Sequence, residues 1–137
     1  METTLLALKE TGKDARNVKV SVLGTTYKAE VADSRLSPAE PIIRKLLRSG
    51  MKVTAYDPYC QESFGAERAG SLSEAVRDSD CIIIVTDHAE FKKIDLQLLK
   101  SEVKEKLIII DGRRVFDPNV VKAFGFKYYG LGYGLRD

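Results

Sequence analysis

A chain of 137 residues, 44% hydrophobic and 31% charged, has material for one packed domain and is not a disordered tail. Its 22 basic and 20 acidic side chains leave a net charge of +2, which excludes whole-surface attraction to nucleic acid or acidic membranes but not a local anion site. No stretch approaches the roughly 20 apolar residues of a membrane span, and the first residues lack the basic start of a signal peptide. Cys60, Cys81 and the single His88 have no metal-ligand spacing. The expectation is a soluble cytoplasmic protein with free thiols, and with neither nucleic acid nor a membrane among its partners.

Residues 1–16 are polar apart from Leu5-Leu6-Ala7-Leu8 and read as a linker or short helix ahead of a domain over 17–137. Val18, Val20 and Val22-Leu23 form a β-branched run closed by Gly24, which predicts a buried strand. Thr25 to Leu36 is too irregular for an element. Ser37-Pro38-Ala39-Glu40 predicts a helix start, with Ser37 as cap, Pro38 at the first helical position and Glu40 closing a capping box. Ile42, Ile43, Leu46 and Leu47 give the helix one apolar face, and Gly50 ends it. Val53 to Tyr56 predicts a second strand, and strand–helix–strand at this spacing is a right-handed βαβ unit.

The alternation then repeats. A helix capped by Ser71 runs through Val76, followed by an apolar strand from Cys81 to Val85 and a helix from Leu96 to Val103. Leu107 to Ile110 is another apolar strand, Asp117-Pro118 opens a helix through Phe124, and Phe126 to Tyr129 is a weak last strand. Strands apolar throughout, alternating with helices, predict an α/β fold: an open, doubly wound parallel sheet of Rossmann-like pattern.

Ligands of such a sheet sit beyond the carboxyl ends of its strands. The informative residues are therefore Gly24 to Arg35, Asp57, Thr86-Asp87-His88 and Asp111-Gly112-Arg113-Arg114. The first loop has one glycine, Gly24, and lacks the G-x-G-x-x-G fingerprint, so NAD is not expected on this domain. It carries Tyr27, Lys28 and Arg35 near a helix start instead, a ring and two cations that suit a nucleotide phosphate or another anion. Solvated loop charges paired with Glu30 and Asp33 account for Lys28 and Arg35 equally well.

Arg113 or Arg114 suits a bidentate clamp on phosphate or carboxylate, although surface arginines pairing with Asp111 or Asp117 are slightly favoured. His88, beside Asp87 and Glu90, fits an acid/base group with an orienting carboxylate. The favoured alternative is a helix capped by Asp87 or Thr86, with His88 as plain polar loop, since no nucleophile or metal ligand stands beside it. Cys81 is expected to be a buried, inert thiol, and Cys60 lacks neighbours that would activate it. Tyr128, Tyr129 and Tyr133, set among glycines, read as a packed C-terminal strand and tail in preference to a base-stacking surface.

The run Gly24-Thr25-Thr26-Tyr27-Lys28, then Asp33-Ser34-Arg35 and Ser37-Pro38-Ala39, resembles the G-L-A-F/Y-K…D-x-R-x-S-P-A signature of the UDP-glucose/GDP-mannose dehydrogenase family. Within that family it looks like the C-terminal, UDP-binding domain. Tyr56-Asp57-Pro58, Thr86-Asp87-His88 with Glu90-Phe91, and Asp111-Gly112-Arg113 match in order and at fitting spacing, so the resemblance runs from about Val18 to Gly134.

The resemblance implies the UDP-sugar-binding domain of an NAD-dependent nucleotide-sugar 6-dehydrogenase, of the UDP-glucose or UDP-N-acetylhexosamine class. Such an enzyme oxidises a C6 hydroxyl to a carboxylate, in UDP-glucuronate and polysaccharide biosynthesis. It implies NAD bound by a domain absent from this chain, a central helical domain, in the same or a separate chain, and a dimer in the complete enzyme. The family's catalytic cysteine belongs to those other parts, so the isolated chain is expected to be inactive and none of its own residues catalytic. By the same resemblance Tyr27 stands beside the nucleotide, Lys28 meets the diphosphate and sugar, and Arg113 adds to the substrate pocket across the dimer. Arg35 is a motif arginine of unassigned task. Thr25-Thr26, Val31-Ala32 and Leu36 depart from the family's usual Leu-Ala, Thr-Asp and Glu. Two other readings stay open: a non-catalytic Rossmann-like regulatory module that binds an anion or nucleotide, and an assembly domain whose strand-end loops contact a partner.

Overall fold

The computed structural model describes residues 14–26 and 28–130. Tyr27, Tyr133 and most of the 1–16 segment read as a linker or short helix lie outside the described residues. A 3₁₀ turn, Ala15–Asn17, leads into β1 (Lys19–Leu23). There follow α1 (Ala39–Arg48), β2 (Lys52–Tyr56), β3 (Glu67–Arg68), α2 (Leu72–Val76) and β4 (Cys81–Ile84). The chain continues through α3 (Ala89–Lys92), α4 (Leu96–Glu102), β5 (Ile108–Asp111), α5 (Pro118–Ala123) and β6 (Lys127–Gly130).

The strands form one six-stranded sheet in the order β3-β2-β1-β4-β5-β6, every pair parallel. From β1 the chain winds outward through β2 and β3, then returns to place β4 on the other side of β1. The direction of winding reverses between β1 and β4, and open α/β sheets place their ligand crevice at such a switch point, at the carboxyl edge. The expected open, doubly wound sheet is what the chain forms.

Alternation along each central strand divides the core between two faces. Val20 and Val22 of β1, Cys81 and Ile83 of β4, and Ile108 and Ile110 of β5 pack with Ala39, Ile43 and Leu46 of α1. Leu23, Ile82, Ile84 and Ile109 face the other way, onto Ala75, Val76, Phe91, Leu99 and Val121 of the remaining helices. Every residue of β4 and β5 is buried, which is why both read as continuous apolar runs. Ser21 is the polar exception in β1. It is fully buried, and its Oγ donates to Ala75 O at 2.7 Å, so the hydroxyl is satisfied and also fastens α2 to the sheet.

Helix ends follow the sequence signals with one correction. Ser71 caps α2 by accepting from Glu74 N, and Asp117 caps α5 with Pro118 in the first helical position. At the end of α1, Gly50 N donates to Leu47 O and Met51 N to Leu46 O, with Gly50 at φ +88°, so the glycine ends the helix in a Schellman turn. The capping box predicted at its start does not form. Ser37 Oγ accepts from Ala39 N at 3.1 Å, while the Glu40 carboxylate turns outward to Arg44 at 2.9 Å. A charge-assisted i,i+4 pair outcompetes the reach back to the cap. Sequence reading also missed β3, two residues of charged edge strand too short for alternation to register, whereas the helix expected directly after Thr86-Asp87 forms as α3, a single turn.

Gly24 is fixed by two independent constraints. Its φ is +102°, and a Cβ built there would stand 2.6 Å from the backbone nitrogen and side chain of Thr86. We expect Gly24→Ala to lower unfolding free energy by about 2–4 kcal/mol, the sum of left-handed strain and overpacking. Urea denaturation followed by circular dichroism measures this, and a loss below about 0.5 kcal/mol contradicts it.

Candidate functional site

The carboxyl ends of β1, β2 and β4 meet around one buried carboxylate. Asp57, directly after β2, is 1% exposed. Its Oδ2 accepts from Thr25 N at 2.8 Å and Thr26 Oγ1 at 3.1 Å and lies 2.9 Å from His88 Nε2, while its Oδ1 accepts from Tyr59 N at 2.8 Å. A buried carboxylate without partners costs several kcal/mol, and these donors offset that cost. They come from three loops, so one charge holds three strand ends in register.

His88 is the second member of the cluster and is fully buried. Glu30 N donates to its Nδ1 at 2.9 Å, so Nδ1 is the acceptor and the ring proton sits on Nε2, directed at Asp57 Oδ2. Thr26 Oγ1 lies 2.9 Å from the same Nε2, and Thr86 Oγ1 donates to Thr26 O at 3.0 Å. The ring packs against Tyr59 at 4.9 Å and Phe91 at 5.5 Å between centroids.

Beyond His88, the Glu30 carboxylate accepts from Ala89 N, at the start of α3, at 2.7 Å, and from the Tyr59 hydroxyl. The Tyr59 hydrogen bond, with the Ala89 amide next, holds the Glu30 carboxyl below its usual range, and the same bond raises the Tyr59 phenol. Tyr56 donates to Glu90 Oε1 at 2.8 Å, and burial foremost, with that carboxylate second, pushes its phenol up to about 12.

A second buried carboxylate shapes the loop after β5. Asp111 is fully buried. Its Oδ1 accepts from Arg113 N and Val115 N, and its Oδ2 from Phe116 N and the Tyr128 hydroxyl, at 2.8–3.2 Å. Gly112 N donates to Ile84 O, and a Cβ on Gly112 would stand 2.9 Å from that oxygen. This close approach leads the chain across the end of β4, where Arg113 Nε donates to Val85 O at 3.1 Å.

The predicted site residues fall into distinct environments. Lys28 is exposed, on the loop between the anchored Thr26 and Glu30, and its ammonium bonds no described residue. The alternative Lys28–Glu30 pairing is absent among the described residues, because Tyr59 and Ala89 occupy the Glu30 carboxylate. Arg113 is exposed on the neighbouring rim, above β4. Its guanidinium does not pair with Asp111, whose oxygens are filled by loop donors. Arg35 reaches into solvent with its side chain 87% exposed, held by Asp33 at 2.9 Å. Tyr27 lies outside the described residues.

The largest correction concerns His88, favoured as plain polar loop. Neither Asp87 nor Thr86 caps α3: Glu30 does so from across the crevice, and Thr86 serves Thr26. Cys81 is fully buried, and burial pushes its thiol up, as an inert core thiol requires. The signal for Asp57 and His88 was their place directly after buried strands. What sequence could not supply was their mutual contact, 31 residues apart along the chain.

The Asp33–Arg35 pair gives a test of loop geometry by titration. The guanidinium hydrogen bonds hold the Asp33 carboxyl down at about 2. A folded value below the unfolded one means that the pair stabilises the loop above the ordinary carboxylate range and is lost as pH falls toward that value. We expect the Asp33 side-chain carbon to titrate near pH 2 by NMR and to return toward about 4 in Arg35→Ala. Identical midpoints in the two proteins contradict the pairing.

Comparison with known proteins identifies the family. The model of the UDP-glucose/GDP-mannose dehydrogenase family, UDP binding domain, matches residues 21–118. UDP-N-acetyl-D-mannosamine dehydrogenase of Methanocaldococcus jannaschii is 40% identical over 119 residues, which are 85% of this chain and 27% of that protein. UDP-glucose 6-dehydrogenase of Rickettsia bellii is 40% identical over 127 residues, 88% of this chain and 29% of that protein. The crystal structure of NDP-N-acetyl-D-galactosaminuronic acid dehydrogenase from Methanosarcina mazei superposes with a TM-score of 0.88 at 32% identity, over 96% of this chain and 28% of that one. The chain therefore spans less than a third of the length of these relatives. It belongs to the UDP-glucose/GDP-mannose dehydrogenase family, and what it represents of that family is the UDP-binding domain.

Proposed function

We propose that residues 17–137 form the UDP-sugar-binding domain, with 1–16 as linker, of an NAD-dependent nucleotide-sugar 6-dehydrogenase of the UDP-glucose or UDP-N-acetylhexosamine class. The observation that carries this reading is the pinned loop at the switch point, which presents Lys28 as an exposed cation whose ammonium bonds no described residue. An exposed ammonium on a fixed loop suits a diphosphate. The Arg113 guanidinium is anchored through Nε, which leaves its terminal nitrogens for a phosphate or carboxylate oxygen. Tyr27, by its place beside Lys28, supplies a ring for the nucleotide. Arg35, committed to Asp33, shapes the loop more than it binds.

NAD does not fit this loop. Thr25 and Thr26 are fully buried where a dinucleotide loop needs backbone approachable by a pyrophosphate, and α1 begins at Ala39, far from the end of β1. NAD, the catalytic cysteine and the central helical domain therefore belong, in this proposal, to the rest of the enzyme, which is a dimer. That enzyme oxidises the sugar C6 hydroxyl to a carboxylate. This chain contributes by holding the UDP end of the substrate, and needs no catalytic residue of its own.

Calorimetric titration with UDP, NAD and inorganic phosphate tests the proposal. UDP should bind, NAD should not, and the isolated chain should form no NADH from a nucleotide sugar. Phosphate binding with no preference for UDP supports instead an anion-binding regulatory module. Lys28→Ala should weaken UDP at least about tenfold, the worth of one charge-assisted contact, while the exposed Lys92→Ala stays near wild type. Equal losses would indicate diffuse attraction.

In this proposal Arg113 completes a substrate pocket belonging largely to the other subunit, so Arg113→Ala should leave the fold intact and change UDP affinity of the isolated chain only slightly, while lowering kcat/KM of the complete enzyme. A large affinity loss in the isolated chain would place Arg113 in its own subunit's site.

A further inference from the structure

We propose that His88 is a positioning residue for nucleotide binding: as a neutral Nε2–H imidazole it locks the Glu30 end of the β1 loop, and so fixes Lys28 at the crevice. The proposal rests on the reading of this loop as the diphosphate site. His88 cannot meet a ligand itself, because it is fully buried under that loop. Both ring nitrogens are already assigned, Nδ1 to the Glu30 amide and Nε2 to Asp57, with Thr26 Oγ1 alongside.

The two anchors bracket the lysine. Before it, Thr25 N and Thr26 Oγ1 bond Asp57, and Thr26 O accepts from Thr86. After it, Glu30 N bonds His88, and the Glu30 carboxylate bonds Ala89 N and Tyr59. Thr26 Oγ1 also lies 3.3 Å from Lys28 O. Without the His88 acceptor, the Glu30 end is tied only by an exposed carboxylate, and binding must then order the loop at the expense of affinity. Glu30 itself has φ +61°, a conformation that needs outside support in a residue with a Cβ. The ring contacts with Tyr59 and Phe91 offer the rival explanation, that His88 only fills space.

Half-mimics separate the two. In His88→Asn the amide oxygen replaces Nδ1 and still accepts from Glu30 N, but nothing reaches Asp57. In His88→Gln the amide nitrogen reaches Asp57, but nothing replaces Nδ1. The full chain and both variants are compared by UDP calorimetry, urea unfolding and hydrogen exchange of the Glu30 amide. We expect nitrogen NMR of wild type to show Nε2 protonated and Nδ1 bare. His88→Asn should keep Glu30 protection and bind UDP within about threefold of wild type, whereas His88→Gln should lose that protection and about tenfold in affinity, at similar stability. UDP affinity that tracks stability, His88→Gln binding as well as His88→Asn, or a protonated Nδ1 overturns the proposal. If wild type does not bind UDP, the functional reading fails by itself. Glu30 protection then decides the clamp, with retention in Asn and loss in Gln supporting it and equal protection overturning it.

Discussion

A carboxylate taken out of water must be surrounded by donors, and the ligand edge of this domain is built around that requirement at Asp57. The donors reach it from the loops after β1, β2 and β4, so none of those loops can relax without exposing or unpairing the charge. The result is a stiff floor under the crevice made of Asp57, His88, Thr26 and Thr86, all buried. Hydrogen bonds in such a low-dielectric cluster reinforce one another, which suits a part whose task is to keep shape.

The floor depends in turn on close approach of backbones. Parallel register sets Leu23 beside Ile84 and Ile84 beside Asp111, so the loops leaving these strands start side by side. They pass at van der Waals limits only where a side chain is missing, at Gly24 against Thr86 and at Gly112 against Ile84 O. Asp111 then repeats the device of Asp57, wrapping the loop that carries Arg113 around a second buried carboxylate. Buried anions shape the loops, and cations stand exposed at their tips.

That division of labour suits the place of this domain in its family. The relatives are more than three times as long as the matched region. Under the function proposed above, the domain holds one end of a substrate and needs a fixed cationic rim and no reactive group. Cys81 is sealed in the core, and the residues flanking Cys60 in sequence, Tyr59, Gln61 and Glu62, are not basic.

The alternation of apolar strands with helices, the absence of the dinucleotide fingerprint and the motif residues on the strand-end loops were all legible in the chain itself. These are local signals: a buried parallel strand must be apolar on both faces, and a cap or a Schellman glycine acts within one turn. The edge strand β3 was illegible, because two charged residues show only one step of alternation. The role of His88 was illegible for a different reason. Its neighbours in sequence, Asp87 and Glu90, suggested an exposed acid/base group or a plain loop, while its partners in space are Asp57, Thr26 and the Glu30 amide. Sequence thus determined which residues lie at the carboxyl edge. Only the tertiary structure decided which became buried supports and which remained free to meet a ligand, because burial and hydrogen-bond partnership come from strands brought side by side by the winding of the sheet.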